Sequence, residues 1–134
     1  MRASFATVGL VAATSALASP FKMPSDNIRC TSDVHNGQPS DIVCTILERS
    51  GPTTTPPPPE CKIEWGYTFE LGGRGDVKAA CGGPIALDGG VPVLGYGRTW
   101  TLGGVICVSS ESGLECRNAD GHGFFLSRGR QSVF

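Results

Sequence analysis

Val105-Ile106-Cys107-Val108-Ser109-Ser110-Glu111-Ser112-Gly113-Leu114-Glu115-Cys116-Arg117-Asn118 is the stretch on which the fold can be read. Val105, Cys107 and Ser109 alternate, as do Leu114 and Cys116, and alternate residues of a strand share one face. Strands over 105–109 and 114–118, joined by the polar loop Ser110-Glu111-Ser112-Gly113, set Ser109 opposite Leu114 and therefore Cys107 opposite Cys116. Opposed residues of antiparallel strands lie about 4.5–5.5 Å apart at Cα, a distance a disulfide spans. A cross-strand bridge is expected, with its sulfurs pointing where the aliphatic side chains point.

Working outward, the next hairpin follows from register. A loop Ala119-Asp120-Gly121 with Gly121 left-handed pairs Cys116 with Phe124 and Leu114 with Leu126, whereas a one-residue slip would set Phe124 and Leu126 opposite charged residues. Upstream, Ile28 precedes Cys30 and Ile42 precedes Cys44 by two positions, so a first hairpin turning near Asn36-Gly37 would be closed by Cys30 and Cys44. Cys61 then pairs with Cys81. Lys62 to Glu70 alternates, with Ile63, Trp65, Tyr67 and Phe69 on one face, and reads as a half-buried strand. Nineteen glycines and ten prolines interrupt the rest, so no amphipathic helix of useful length survives. Residues 51–60 form a Thr/Pro-rich connector, expected to be a stiff polyproline II spacer between the first hairpin and the main sheet. The expected fold is all-β: a small disulfide-stabilised antiparallel sheet domain, a compact sandwich or partly open barrel built from hairpins.

The N-terminus reads as an export signal over 1–18: Arg2, an apolar run from Phe5 to Thr14, and the cleavage pattern Ala16-Leu17-Ala18. Residues 19–134 then form a single domain in the periplasm or outside the cell. The apolar run is shorter than the roughly 20 residues a spanning helix needs, so no membrane insertion is expected. Eleven basic and twelve acidic residues are interleaved, with no basic stripe to neutralise phosphates, which argues against nucleic acid. The cysteines contain no C-x-x-C pair and only His35 and His122 supply imidazoles, so structural bridges are expected, with no metal and no cofactor.

Pro24-Ser25-Asp26-Asn27-Ile28-Arg29-Cys30, Cys61-Lys62-Ile63-Glu64-Trp65-Gly66, Val93-Leu94-Gly95-Tyr96-Gly97 and Gly121-His122-Gly123-Phe124-Phe125-Leu126-Ser127-Arg128 resemble, in order, the signatures of a family of small exported bacterial proteins classed as a domain of unknown function. The resemblance implies a signal sequence and paired cysteines. It brings no activity with it, and the Thr/Pro stretch is where this chain is expected to depart from its relatives.

Candidate chemistry is sparse. His122, Asp120 and Ser127 are the residues from which a hydrolytic triad would be drawn, but Asp120 and His122 flank a single turn residue and no nucleophile elbow is present. His122 is better read as closing a hairpin end against Asn118, and Gly73-Arg74-Gly75-Asp76 as an exposed hairpin loop rather than an adhesion motif. The expected function is a non-catalytic binding or structural module of the bacterial envelope, a monomer whose partner is a protein, glycan or small ligand. Trp65, Tyr67, Tyr96, Trp100, Ser112, His122 and Arg128 are its candidate binding surface. The alternative is a secreted or periplasmic inhibitor of a lysozyme or protease, inserting Ser112-Gly113 and Arg128, on the last strand, into an acidic cleft.

Overall fold

The structure is a computed structural model and describes residues 20–35 and 38–134; the expected signal segment and the Asn36-Gly37 turn lie outside the described residues. Among these residues ten strands follow one another: β1 (Phe21–Lys22), β2 (Ile28–His35), β3 (Gln38–Ile46), β4 (Trp65–Leu71), β5 (Lys78–Cys81), β6 (Thr99–Leu102), β7 (Val105–Ser110), β8 (Gly113–Arg117), β9 (Gly123–Leu126) and β10 (Gln131–Val133). They form two five-stranded antiparallel sheets, ordered β1-β2-β3-β4-β5 and β10-β9-β8-β7-β6. Each sheet is a meander, and neither closes into a barrel. Among the described residues there is no helix.

The sheets share one core, because each presents its alternate aliphatic, cysteine and phenylalanine residues to the other. Ile42, Ile46, Phe69 and Leu71 from the first sheet and Val105, Leu114, Phe124 and Leu126 from the second are buried in one cluster. Phe69 meets Phe124 with ring centroids 6.0 Å apart, and Phe21 meets Trp100 at 5.3 Å. Three disulfides, Cys30–Cys44, Cys61–Cys81 and Cys107–Cys116, are present. The first and third join directly opposed residues with Cα separations of 4.1 and 4.0 Å, the narrow spacing of a non-hydrogen-bonded antiparallel pair. Bridges in this number point to an oxidising compartment.

The two halves repeat one pattern. Ile28-x-Cys30 on β2 corresponds to Val105-x-Cys107 on β7, Ile42-x-Cys44 on β3 to Leu114-x-Cys116 on β8, and Phe69-x-Leu71 on β4 to Phe124-x-Leu126 on β9. The registers repeat too: Cys44 faces Phe69 and Ile42 faces Leu71, as Cys116 faces Phe124 and Leu114 faces Leu126. The Phe69–Phe124 contact therefore joins equivalent residues, as a contact on a two-fold axis would.

The structure corrects several expectations. Pairing of β7 with β8 continues to Ser110 and Gly113, so the loop is the two residues Glu111-Ser112 and Gly113 lies buried within β8. A Cβ at Gly113 would sit 2.4 Å from the Leu126 carbonyl oxygen, which is why glycine ends the turn there. β4 does not alternate cleanly: Ile63 precedes it and is 68 % exposed, while Gly66 and Thr68 are buried. A bulge between Trp65 and Thr68 shifts the register against β5, and the outer face is covered locally. Thr68 shares a hydrogen bond with Thr45 (2.9 Å), whose hydroxyl also accepts from Ile85 N (3.1 Å). The Thr/Pro connector joins β3 to β4, neighbours in one sheet, and is tied down rather than spacing two units apart. Thr54 N donates to the Gln131 side chain (3.0 Å) and Trp65 Nε1 donates to Thr55 O (3.0 Å). Arg128 lies in the β9–β10 turn, not on a strand.

Candidate functional site

Strand alternation sends the inter-strand loops to two ends of the sandwich, and the ends differ. At one end the β4–β5 loop (72–77) meets the β8–β9 turn (118–122) in a closed polar knot. Its centre is Asn118, which is 6 % exposed. The Asn118 amide donates to the Gly72 and Gly75 carbonyls (3.1 and 2.8 Å), and its oxygen accepts from Asp120 N and His122 N (both 3.0 Å). Asp120 takes Arg74 Nη1 at 2.9 Å and Gly75 N at 2.8 Å, so its carboxylate faces the other sheet's loop. His122 Nε2 lies 3.1 Å from Asp76 Oδ1, with side-chain exposures of 40 % and 84 %. His122 thus closes the hairpin by its backbone, as its amide bonds Asn118 and its carbonyl accepts Asn118 N at 2.8 Å, while its ring points to Asp76.

Ser127 stands beyond the opposite end of β9, its hydroxyl donating to Arg130 O at 3.0 Å. Four strand residues, about 13 Å of backbone at the usual rise, separate it from His122. Asp120, His122 and Ser127 therefore do not meet. Asn118 gave no sequence signal beyond its place beside a turn, yet it makes four hydrogen bonds here. Truncating it orphans carbonyl and amide partners together, so Asn118→Ala should cost about 2 kcal/mol or more. The exposed His122–Asp76 pair is worth little, and His122→Asn should cost less than about 1 kcal/mol. Urea unfolding of both variants checks this order.

At the other end the sandwich is open. A cleft of about 300 Å³ lies between the β1–β2 turn, the β7–β8 turn, the β9–β10 turn and Tyr96. Its floor is the buried trio Met23, Asn27 and Ile28. Asn27 fixes the floor by acting as a strand neighbour to the end of β3: its amide donates to Glu48 O (2.9 Å) and its oxygen accepts from Glu48 N (2.8 Å). Asp26, the residue before it, adopts φ 62°, a left-handed conformation that aspartate tolerates better than most residues. Arg29 donates to both Asp26 carboxylate oxygens (3.0 and 3.1 Å) and thereby holds that carboxyl below its ordinary pKa. The turn's ion pair is thus complete at neutral pH and is lost only as the pH falls through this lowered value.

Tyr96 is delivered to the rim by a segment anchored on both sheets. Leu94 N donates to Lys22 O (2.8 Å) on β1, and Gly97 N donates to Ser109 O (2.7 Å) on β7. Between these points Arg98 N closes a turn on Gly95 O (3.0 Å), with Gly97 at φ 84° in the third position as a type II turn requires. Tyr96 occupies the corner and is 48 % exposed. Across from it, Ser112 and Glu111 form the tip of the Cys107–Cys116 hairpin, and the Ser110 and Ser112 hydroxyls lie 2.9 Å apart. Arg128 completes the wall, its guanidinium on Glu48 at 2.6 Å, while Ser50 N binds the Arg128 carbonyl at 2.8 Å.

Of the candidate surface, the cleft brings together Tyr96, Ser112 and Arg128. Trp100 is half-buried against Phe21, Tyr67 lies under the Arg49 guanidinium (4.8 Å), Trp65 is held by Thr55, and His122 is at the closed end. Ser25, Asn27 and Glu111 were not singled out as binding residues from sequence, because nothing local shows that three remote turns converge. Among the described residues no group of histidines, cysteines and carboxylates is placed to hold a metal.

The model of the Family of unknown function (DUF6636) matches residues 4–134, nearly the whole chain. The chain belongs to that family. No curated protein and no solved structure matches it. Membership in DUF6636 assigns no reaction, so the function has to be argued from the cleft. Three of the four stretches that carry the resemblance reach it, through Ser25 and Asn27, through Tyr96, and through Ser127 and Arg128.

Proposed function

We propose that this protein is an exported, non-catalytic binding module that takes its ligand in the cleft at the open end. The supporting observation is the difference between the two ends of a repeated architecture. The equivalent contacts Ala119 N to Gly73 O (3.2 Å) and Ser50 N to Arg128 O (2.8 Å) hold both ends together, but at the first the Asn118 side chain ties the two loops to each other, while at the second Asn27 is tied to Glu48 and the turns leave a cleft of about 300 Å³ between them. The open end is preformed, since its walls stand on the Cys30–Cys44 and Cys107–Cys116 ladders and its turns are pinned by hydrogen bonds. A rigid concavity with an aromatic rim and a few polar groups spends little ordering entropy when a ligand enters.

Titration of the ¹⁵N-labelled protein with a mixed set of small sugars and short peptides tests the reading. Shifts are expected at the amides of Asn27, Gly113 and Gly129, with the Asn118–His122 turn unmoved. Shifts confined to the closed end, or none with any ligand class, would sink it.

The inhibitor reading keeps one supporting observation, the exposed Glu111-Ser112 tip held by a disulfide. Its chemistry fits an acidic target cleft poorly, because Glu111 is at the tip, Gly113 is buried in β8 and Arg128 is already neutralised by Glu48.

A further inference from the structure

We infer that the ligand of this cleft is a saccharide without net negative charge, its ring laid against Tyr96; this rests on the binding-module reading above. Size comes first. A cleft of about 300 Å³ is at the small end of ligand pockets and suits one or two hexose rings.

Electrostatics narrow the class. Among the described residues Arg128 is the only cationic side chain lining the cleft, and its guanidinium is already engaged by Glu48 at 2.6 Å. Glu111 lines the same cleft and has no ion-pair partner among the described residues. The lining charges Glu111 and Arg128 offset each other, and with Arg128 engaged by Glu48 no unpaired cation among the described lining residues is left to receive a carboxylate, phosphate or sulfate.

Hydrogen-bonding type narrows it further. Ser25, Ser110 and Ser112 present hydroxyls, each able to donate once and accept twice. Their internal bonds are few: Ser25 accepts from Asn27 N at 3.4 Å, Ser110 donates to Gly113 O at 3.2 Å, and Ser110 and Ser112 share one contact. Capacity of both kinds is left over, which matches a ligand that both donates and accepts at neighbouring positions. Vicinal sugar hydroxyls do so. An extended peptide would instead seek a strand edge for its backbone, and the walls here are turns. Tyr96 adds the apolar element, because its half-exposed ring faces solvent at the cleft rim and can cover the C–H face of a pyranose while its hydroxyl stays wet.

The test uses three probes on the wild-type chain: N,N′-diacetylchitobiose as the neutral sugar, a galacturonic acid dimer as the anionic one, and the peptide Gly-Ser-Gly-Ser. Saturable shifts at Asn27, Gly113 and Gly129 are expected with the neutral sugar and not with the other two. Tyr96→Ala should weaken that binding about tenfold, equivalent to about 1.4 kcal/mol, and Tyr96→Trp should retain it. Glu111→Gln should admit the uronate. Ile106→Ser, on the outer face of β7, controls for folding and should leave binding unchanged. Cleft shifts with the peptide or the uronate but not with the neutral sugar would overturn the saccharide assignment and leave the binding module standing. An unchanged affinity in Tyr96→Ala would overturn the assignment as well. No cleft shift with any of the three would count against both readings.

Discussion

Replacing Cys107 and Cys116 together by alanine is expected to lower the melting temperature by about 20 °C or more, and to cost more than removing Cys61–Cys81. Loop entropy alone predicts the reverse order. The sequence separations are 9 for Cys107–Cys116 and 20 for Cys61–Cys81, for which the chain-entropy relation gives about 2.6 and about 3.3 kcal/mol. Burial decides the contest. Cys107 and Cys116 are fully buried in the shared core, whereas Cys81 is exposed and Cys61 partly so. Deleting two buried sulfurs adds roughly 1 kcal/mol or more of lost packing at each site, which exceeds the entropy difference of about 0.7 kcal/mol. At about 4–8 °C per kcal/mol for a domain near this size, the buried pair comes to about 20 °C or more and the exposed pair to about seven-tenths of that or less. Calorimetry of the two double variants ranks them; a larger loss from Cys61 and Cys81 would mean that chain entropy, not the core, sets the contribution of these bridges.

How much of this was legible in the sequence depends on where an element's partners lie. The β7–β8–β9 ladder could be read to the residue, because its loops are short and a wrong register would bury charge: Cys107 faces Cys116 and Cys116 faces Phe124. The strands without a sequence signal are β1, β6 and β10, of two, four and three residues, which are edges of the two sheets. Strands so short have no periodicity to detect, and they persist because distant partners hold them, as Gln131 holds Gly66 O at 2.9 Å and Lys22 holds Pro92 O and Leu94 N. The Lys62–Glu70 alternation misleads for a related reason. The bulge before Thr68 and the Thr45–Thr68–Ile85 cover on its outer side depend on residues far along the chain. The cleft is harder still to see, since Ser25, Tyr96, Ser112 and Arg128 are brought together only by the pairing of whole sheets.

The largest single-residue loss is expected at the contact between the two repeated halves. Phe69 and Phe124 are both fully buried with centroids 6.0 Å apart, each contributed by the fourth strand of its own half. Phe124→Ala should cost about 3–5 kcal/mol, the usual range for a buried phenylalanine, which is a large share of the 5–15 kcal/mol that ordinarily holds a domain together. Phe69→Ala should cost a similar amount. Because the rings touch, the double variant should lose less than the sum of the single losses, by about 0.5–1.5 kcal/mol. Phe125 is the internal control. It is the next residue on β9, on the outer face with the Arg130 guanidinium 4.1 Å above its ring, and Phe125→Ala should cost less than about 1.5 kcal/mol. A one-residue slip of β9 would exchange the two phenylalanines between core and surface, so equal losses at 124 and 125 in urea unfolding would show this register to be wrong. Strict additivity of Phe69→Ala and Phe124→Ala would instead mean that the two sheets do not meet at these rings, and the two-fold relation between the halves would lose a contact that links equivalent residues directly.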